Sequence, residues 1–253
     1  MRRLSDHDHF AALRQRVTNQ LGVSDLSWTA LDELPVRPVV AETRDTLYRQ
    51  GDEIGDMFVL SHGWALGCSN LRDGKRYVHR IYQAGDLIGT EDTNWNYGTS
   101  TVQTVTPCRL ARFSKDRQYE LFAQNPRLGS ALFGLAMNDQ VVVMDAARVN
   151  ARLPARGRLI HLLLQIEART RLSDGGGEGE PFHLPLTQVD IADATGLTNV
   201  YVSRALSALV REGSLARRGT TYQLLERDAL VQEIGFVNRY RVTMGNWNRQ
   251  LVA

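Results

Sequence analysis

Cysteine is nearly absent from this sequence of 253 residues: Cys68 and Cys108 stand far apart, with no third or fourth partner. That excludes a disulfide framework, a CxxC redox pair and any all-cysteine zinc or iron–sulfur site. No stretch approaches the ~18 consecutive apolar residues that a membrane span requires. The opening Met1-Arg2-Arg3-Leu4 and the residues after it lack the apolar core of a secretory signal. No HExxH-type metal motif, nucleophile–base pair or true phosphate loop occurs, so no catalytic residue is assigned and an enzyme is not expected. Lysine is scarce too, only Lys75 and Lys115, so almost all positive charge is carried by arginine. A soluble, cytoplasmic protein with no membrane partner is the expectation.

What is present is globular: 43% hydrophobic and 23% charged residues, too balanced for disorder or a coiled-coil rod. At ~150 residues per domain the length suits one large or two ordinary domains. The net charge of +2 is unevenly placed. Residues 1–127 carry 16 basic and 16 acidic groups, whereas from Thr195 onward eight arginines face only Glu212, Glu226, Asp228 and Glu233. After Gly235 come Arg239, Arg241 and Arg249 and no acid. A basic end on a neutral body points to a polyanion partner at that end, or to biased arginine usage alone.

Residues 7–33 read as helical from Phe10, Leu13, Val17 and Leu21. The Asp6-His7-Asp8-His9 run reads as a solvated helix start rather than a metal site, having no second cluster of ligands. From Pro35 to Phe113 short runs of Val, Ile, Leu, Tyr and Thr alternate with glycine–aspartate turns, the pattern of a sandwich or barrel. Arg72-Asp73-Gly74-Lys75 marks a hairpin. After Pro126 the period becomes helical. Leu128, Leu132, Leu135, Asp139, Val142, Ala146, Val149 and Leu153 recur at steps of four and three, a seven-residue repeat expected to form a dimer seam, with Asp139 setting register. A single buried helix packed on the β domain would give the same stripe. A further helix follows over 157–172, then the acidic, glycine-rich run from Ser173 to Pro181. It follows a helix and has no lysine after it, so it reads as a flexible connector rather than a phosphate cradle.

The stretch from Leu186 to Leu225 is the most informative. Thr187 with Asp190 forms a capping-box-like start to a short helix that Gly196 ends, and Thr198 caps a second helix running to about Glu212. Short helix, glycine turn and longer helix is the helix-turn-helix plan, whose second helix enters the DNA major groove. Leu215 to Leu225, centred on Arg217-Arg218-Gly219-Thr220, reads as a two-stranded wing. At about 100° per residue, Val202, Leu206, Leu209 and Val210 turn toward the core. Val200, Arg204, Ser207 and Arg211 lie opposite, flanked by Tyr201 and Ser203.

These residues resemble the Crp/Fnr family of bacterial transcription regulators. The match runs from Leu184-Pro185-Leu186-Thr187-Gln188-Val189-Asp190-Ile191-Ala192 through Gly196-Leu197-Thr198 to Val202-Ser203-Arg204-Ala205-Leu206. A second match is Gly51-Asp52, Met57-Phe58-Val59-Leu60-Ser61, Gly63-Trp64-Ala65, Asp73-Gly74-Lys75-Arg76 and Gly85-Asp86-Leu87-Ile88-Gly89. The resemblance covers about residues 35–230 and implies an α+β chain in three parts. Residues 1–127 would form a cyclic-nucleotide-binding-like β-roll with an N-terminal helix, 128–153 a dimerisation helix, and 154–253 a winged helix-turn-helix with a basic tail. It implies a homodimer that reads a pseudo-palindromic operator through the 198–212 helix, touching RNA polymerase as well where it activates. The residues expected to meet DNA are Thr187, Thr198, Asn199, Val200, Tyr201, Ser203, Arg204, Ser207, Arg211, Arg217 and Arg218. The alternative is a small-molecule-binding β-roll whose helix-turn-helix no longer binds DNA.

The chain departs from the resemblance at three places. Members that bind cyclic nucleotides keep an acid directly after the glycine matching Gly89 and an arginine some ten residues on. Here Thr90 and then Glu91 follow, and no lysine or arginine lies between Arg80 and Arg109. A buried phosphate would lack compensation, so cyclic AMP is not the expected ligand. Oxygen-sensing members hold an iron–sulfur cluster on N-terminal cysteines, and none precedes Cys68. His62 and His79 are candidate haem ligands only by lying in the β region, where single histidines are more often surface or core residues. No metal or cofactor is assigned. The third departure is Val200, where well-known branches carry a glutamate that accepts a hydrogen bond from a cytosine.

Overall fold

The computed structural model describes residues 8–241. Among them, residues 8–65 and 82–136 form one compact unit, and 66–81 with 137–241 form another.

The first unit opens with α1 (Ala11–Leu21) and α2 (Thr29–Asp32). One helix was expected over 7–33. Gly22 divides it, because its φ of 69° closes α1 with a left-handed cap bonded back to Thr18. Leu13, Val17 and Leu21 are buried as their spacing requires. Arg16 on the same helix reaches the buried Asp86 at 2.8 Å.

Along the chain the strands are β1 (Arg37–Ala41), β2 (Thr46–Tyr48), β3 (Asp56–His62), β4 (Ala65–Asn70), β5 (Arg76–Tyr82), β6 (Leu87–Ile88), β7 (Thr101–Thr104) and β8 (Cys108–Ser114), of which β4 and β5 fall almost wholly in the second unit. They make two four-stranded sheets, in the orders β1-β8-β3-β6 and β2-β7-β4-β5. Tyr48, Phe58, Leu60, Tyr82, Ile88, Val102 and Leu110 share one core. In β3 Met57 to Leu60 are all buried, with α1 packed on this strand, so both its faces are covered and no polar alternation shows. The hairpin of β4 and β5 turns at 71–75, where Gly74 has a φ of 81° and Leu71 N–H donates to the Lys75 carbonyl at 2.7 Å. Burial pushes the Cys68 and Cys108 thiols up, which keeps them protonated and inert.

Next come α3 (Arg117–Gln124) and the 27-residue α4 (Pro126–Arg152). The residues expected to form a seam on α4 pack inside the single chain. Leu128, Leu132, Leu135, Asp139, Val142 and Val149 are buried within their own chain, Ala146 partly so, and Asp139 is bonded to Arg80 at 2.5 Å. A period of three and four shows that one face of a helix is covered and says nothing of which chain covers it. On the opposite arc Phe133, Met137, Val141 and Met144 are 51%, 47%, 41% and 61% exposed. At about 100° per residue these four fall within a quarter of the circumference.

The second unit continues with α5 (Ala155–Asp174), β9 (Phe182–His183), α6 (Gln188–Thr195), α7 (Asn199–Arg211), β10 (Leu215–Arg218), β11 (Thr221–Leu224) and α8 (Arg227–Ile234). The expected connector from Ser173 to Pro181 is pinned rather than loose. Gly179 N–H donates to the buried Glu167 at 2.7 Å, Gln223 donates to the Gly179 carbonyl, and Arg171 donates to the carbonyls of Glu180 and Pro181. Glycine content alone does not reveal such long-range anchors. No helix among the described residues is long and apolar enough to cross a membrane.

Candidate nucleic-acid interface

The helix-turn-helix is built by its caps. Thr187 accepts from Asp190 N–H at 3.1 Å, and the Asp190 carboxylate accepts from both Thr187 N–H and the Thr187 hydroxyl, a closed capping box. Gly196 ends α6 with a φ of 64°, a conformation a Cβ would strain. Thr198 then accepts from Tyr201 N–H at 3.2 Å and starts α7. Val202, Leu206 and Leu209 are fully buried, fixing which side of α7 faces out. Val210, expected inside, is 44% exposed, because it sits at the edge of the apolar arc in the last turn of the helix.

The outward side carries the expected set. Thr198, Asn199, Val200, Tyr201, Arg204, Ser207 and Arg211 are exposed, Ser203 is half-buried, and Thr187 is exposed at the start of α6. Val200 is 60% exposed, so its side chain is available to a partner. The wing forms as expected, with Leu215 opposite Leu224 and Arg218 opposite Thr221, and it gains a third strand, β9, beside β11. Arg217 lies over the Tyr222 ring at 5.1 Å, which holds its guanidinium in place. Arg204, Arg211 and Arg218 form no ion pair among the described residues. Two such arginines on the exposed side of α7 and one on the wing are what a phosphate backbone attracts.

The basic tail is a different matter. Arg239 is bonded to Asp145 at 2.5 Å, and Arg241 lies 3.6 Å from Glu178. Both are engaged within the chain and do not form a free cationic patch; Arg249 lies outside the described residues.

Arg76 has a role that its place in the sequence does not announce. In the structure it donates to Asp193 at 2.8 Å and to Asp190, the same carboxylate that caps α6. Burial alone would raise the Asp190 carboxyl, but the Thr187 hydroxyl and Arg76 outweigh it and hold it below its ordinary value. The only signal for this pair was the position of Arg76 after the hairpin glycine, which speaks of a turn.

In the β-roll the segment after Gly89 closes on itself. Asp92 is wholly buried and accepts from the Tyr48 hydroxyl at 3.0 Å, from Thr99 N–H at 2.7 Å and from the Thr99 hydroxyl at 2.6 Å. Glu91 accepts from the Tyr82 hydroxyl at 2.5 Å. Lys115 gives its ammonium to the carbonyls of Ile54, Asp92 and Trp95. Two carboxylates and a fully engaged cation do not fit a cyclic phosphate. His62 is exposed on β3, and no group of three or more His, Cys, Asp or Glu side chains suited to a metal occurs among the described residues. Asp6 and His7 lie outside them.

A β-roll, a long helix and a winged helix-turn-helix with an exposed arginine-bearing recognition helix define a DNA-binding transcription regulator. Residues 38–125 match the cyclic nucleotide-binding domain, and residues 157–233 match the Crp-like helix-turn-helix domain. The chain belongs to the Crp/Fnr family. It is 23% identical over 205 residues to the fumarate and nitrate reduction regulatory protein of Escherichia coli K12, covering 81% of each chain. It is 26% identical over 194 residues to the nitrogen fixation regulation protein FixK of Azorhizobium caulinodans, covering 76% of this chain and 77% of that one. FixK2 from Bradyrhizobium japonicum has the same fold, with a TM-score of 0.70 at 20% identity over 79% of this chain and 97% of that one. The relatives are regulators of transcription, not enzymes.

Proposed function

We propose that the protein acts as a homodimer that binds a pseudo-palindromic operator, each protomer placing α7 in a major groove and its wing on the flanking phosphates. The observation that carries this reading is the exposed face of α7, with Val200, Arg204, Ser207 and Arg211 aligned and the arginines unpaired. Arg204 reads a guanine through its two acceptors, Val200 packs on a thymine methyl, and Arg211, Arg217 and Arg218 contact phosphates. Two-fold symmetry of the protein then requires half-sites about one helical turn, ~34 Å, apart.

The dimer forms through the exposed stripe of α4, Phe133, Met137, Val141 and Met144, since apolar side chains of that size aligned on one helix face favour burial against a second copy. The functional division is 1–127 for the sensor-like roll, 128–153 for the dimer helix and 154–253 for DNA binding. The roll takes no cyclic nucleotide, a reading supported by the buried carboxylate of Asp92. Selection of bound fragments from a random DNA pool tests the whole proposal. An inverted repeat with a guanine in each half-site is expected, and recovery of no enriched sequence overturns it.

A further inference from the structure

Beyond the matched helix-turn-helix region the chain does something sequence did not suggest. After α8, Gly235 takes a φ of 61° and turns the chain back across the second unit. Phe236 meets the buried His161 of α5 edge-on, with ring centres 5.6 Å apart. Arg239 then reaches α4, donating from Nε to Asp145 at 2.5 Å and from Nη2 at 3.4 Å. Tyr240 is 8% exposed and sits with Val142 of α4 and with Ala168 and Leu172 of α5.

Phe236, Arg239 and Tyr240 therefore touch, between them, both helices that flank the α4–α5 junction. That junction, from Leu153 to Pro154, is short and non-helical, with Pro154 extended at ψ 160°. A junction of this kind is a natural pivot for the winged helix. Other ties cross it, notably Asn150 to the Ala194 carbonyl at 3.0 Å. The segment from Phe236 to Tyr240 combines an aromatic contact, a two-pronged ion pair and a buried tyrosine.

We propose that residues 236–240 are a strap that positions the winged helix on α4, and that Arg239 and Asp145 are positioning residues setting the spacing between the two recognition helices. This rests on the operator-binding reading above. A strap of this kind leaves each head's own grip on DNA untouched and matters only when two heads must land together. The cost of releasing it is conformational, because a freely pivoting head is in register for only a fraction of the time.

The test uses the full-length protein with Arg239→Asp, Asp145→Arg and the double charge exchange. Arg239→Asp is expected to weaken binding to a full inverted repeat about tenfold and to broaden the tolerated half-site spacing, with affinity for a single half-site unchanged. The double exchange is expected to restore both. Full-site and half-site affinities falling together would mean general damage, and it would overturn the strap, as would unchanged full-site binding or failure of the exchange to rescue. A second readout needs no DNA: in spin-diluted dimers labelled at Val143 and Ser207, the distance distribution should broaden in Arg239→Asp. A distribution as narrow as that of the parent overturns the strap. Failure of the parent protein to bind any DNA would overturn the operator reading, leaving the strap to be judged by the label distances.

Discussion

Replacing Met144 by glutamate separates the two faces of α4. Met144 is 61% exposed and Phe133, Met137 and Val141 are between 41% and 51% exposed, so each has about half its surface left to bury against a partner. Complete burial of such side chains stabilises by ~1.5–3 kcal/mol, so each gains about 1 kcal/mol or slightly more at the interface. A two-fold dimer loses that contribution twice, about 2–3 kcal/mol, which raises the dimer Kd by roughly 30- to 150-fold. Two carboxylates brought toward the dyad add an unpaired-charge penalty in the same direction. Because Met144 supports little within its own chain, the folded protomer should keep its thermal midpoint. Leu135→Asp is the opposite case. Leu135 is 1% exposed, so the change puts a charge into the chain's own core and should lower stability by at least ~3 kcal/mol. Sedimentation equilibrium over a range of concentrations, alongside thermal unfolding, reads both quantities. A Met144→Glu protein that stays dimeric at low micromolar concentration, while Leu135→Asp gives a folded monomer, would refute the reversal of faces.

Val200→Glu should move base preference toward C·G at one position of each half-site by ~1–3 kcal/mol, read by selection from a random pool; identical consensus sequences for both proteins would show that α7 docks differently. Arg218→Ala should weaken binding to all sequences alike and reduce the slope of log affinity against log salt by about one, whereas a loss confined to one base would make it a reader of sequence. His161 provides a pH signature: burial pushes its pKa from 6.5 down to about 4, against the opposing pull of Asp145 and with help from Arg148. The unfolded chain then binds the extra proton first, so this contribution to stability is complete above about pH 6.5 and is lost as pH falls toward 4. Thermal midpoints should fall over that window and His161→Gln should flatten the dependence; an equally steep curve in the variant would place the titration elsewhere.

Much of this protein was legible along the chain because its signals are local. Thr187, Asp190, Gly196 and Thr198 act on backbone groups within a turn of themselves, so their spacing alone marks where α6 ends and α7 begins. The buried side of α7 follows from rotation of Val202, Leu206 and Leu209 about one axis, and that in turn identified the exposed arginines. The hairpin at Asp73-Gly74 is local in the same sense. What the sequence left open depends on contacts between residues remote in the chain. The heptad of α4 reports a covered face, and only the packed structure shows that its own chain covers Leu128 to Val149 and leaves Phe133 to Met144 outside. Arg239 resembles a free cation until Asp145, 94 residues earlier, is placed beside it. Arg76 resembles a turn residue until Asp190 and Asp193 arrive from the helix-turn-helix. Charge and periodicity are properties of one segment, whereas neutralisation and burial belong to pairs of segments, and those pairs form only when the chain folds.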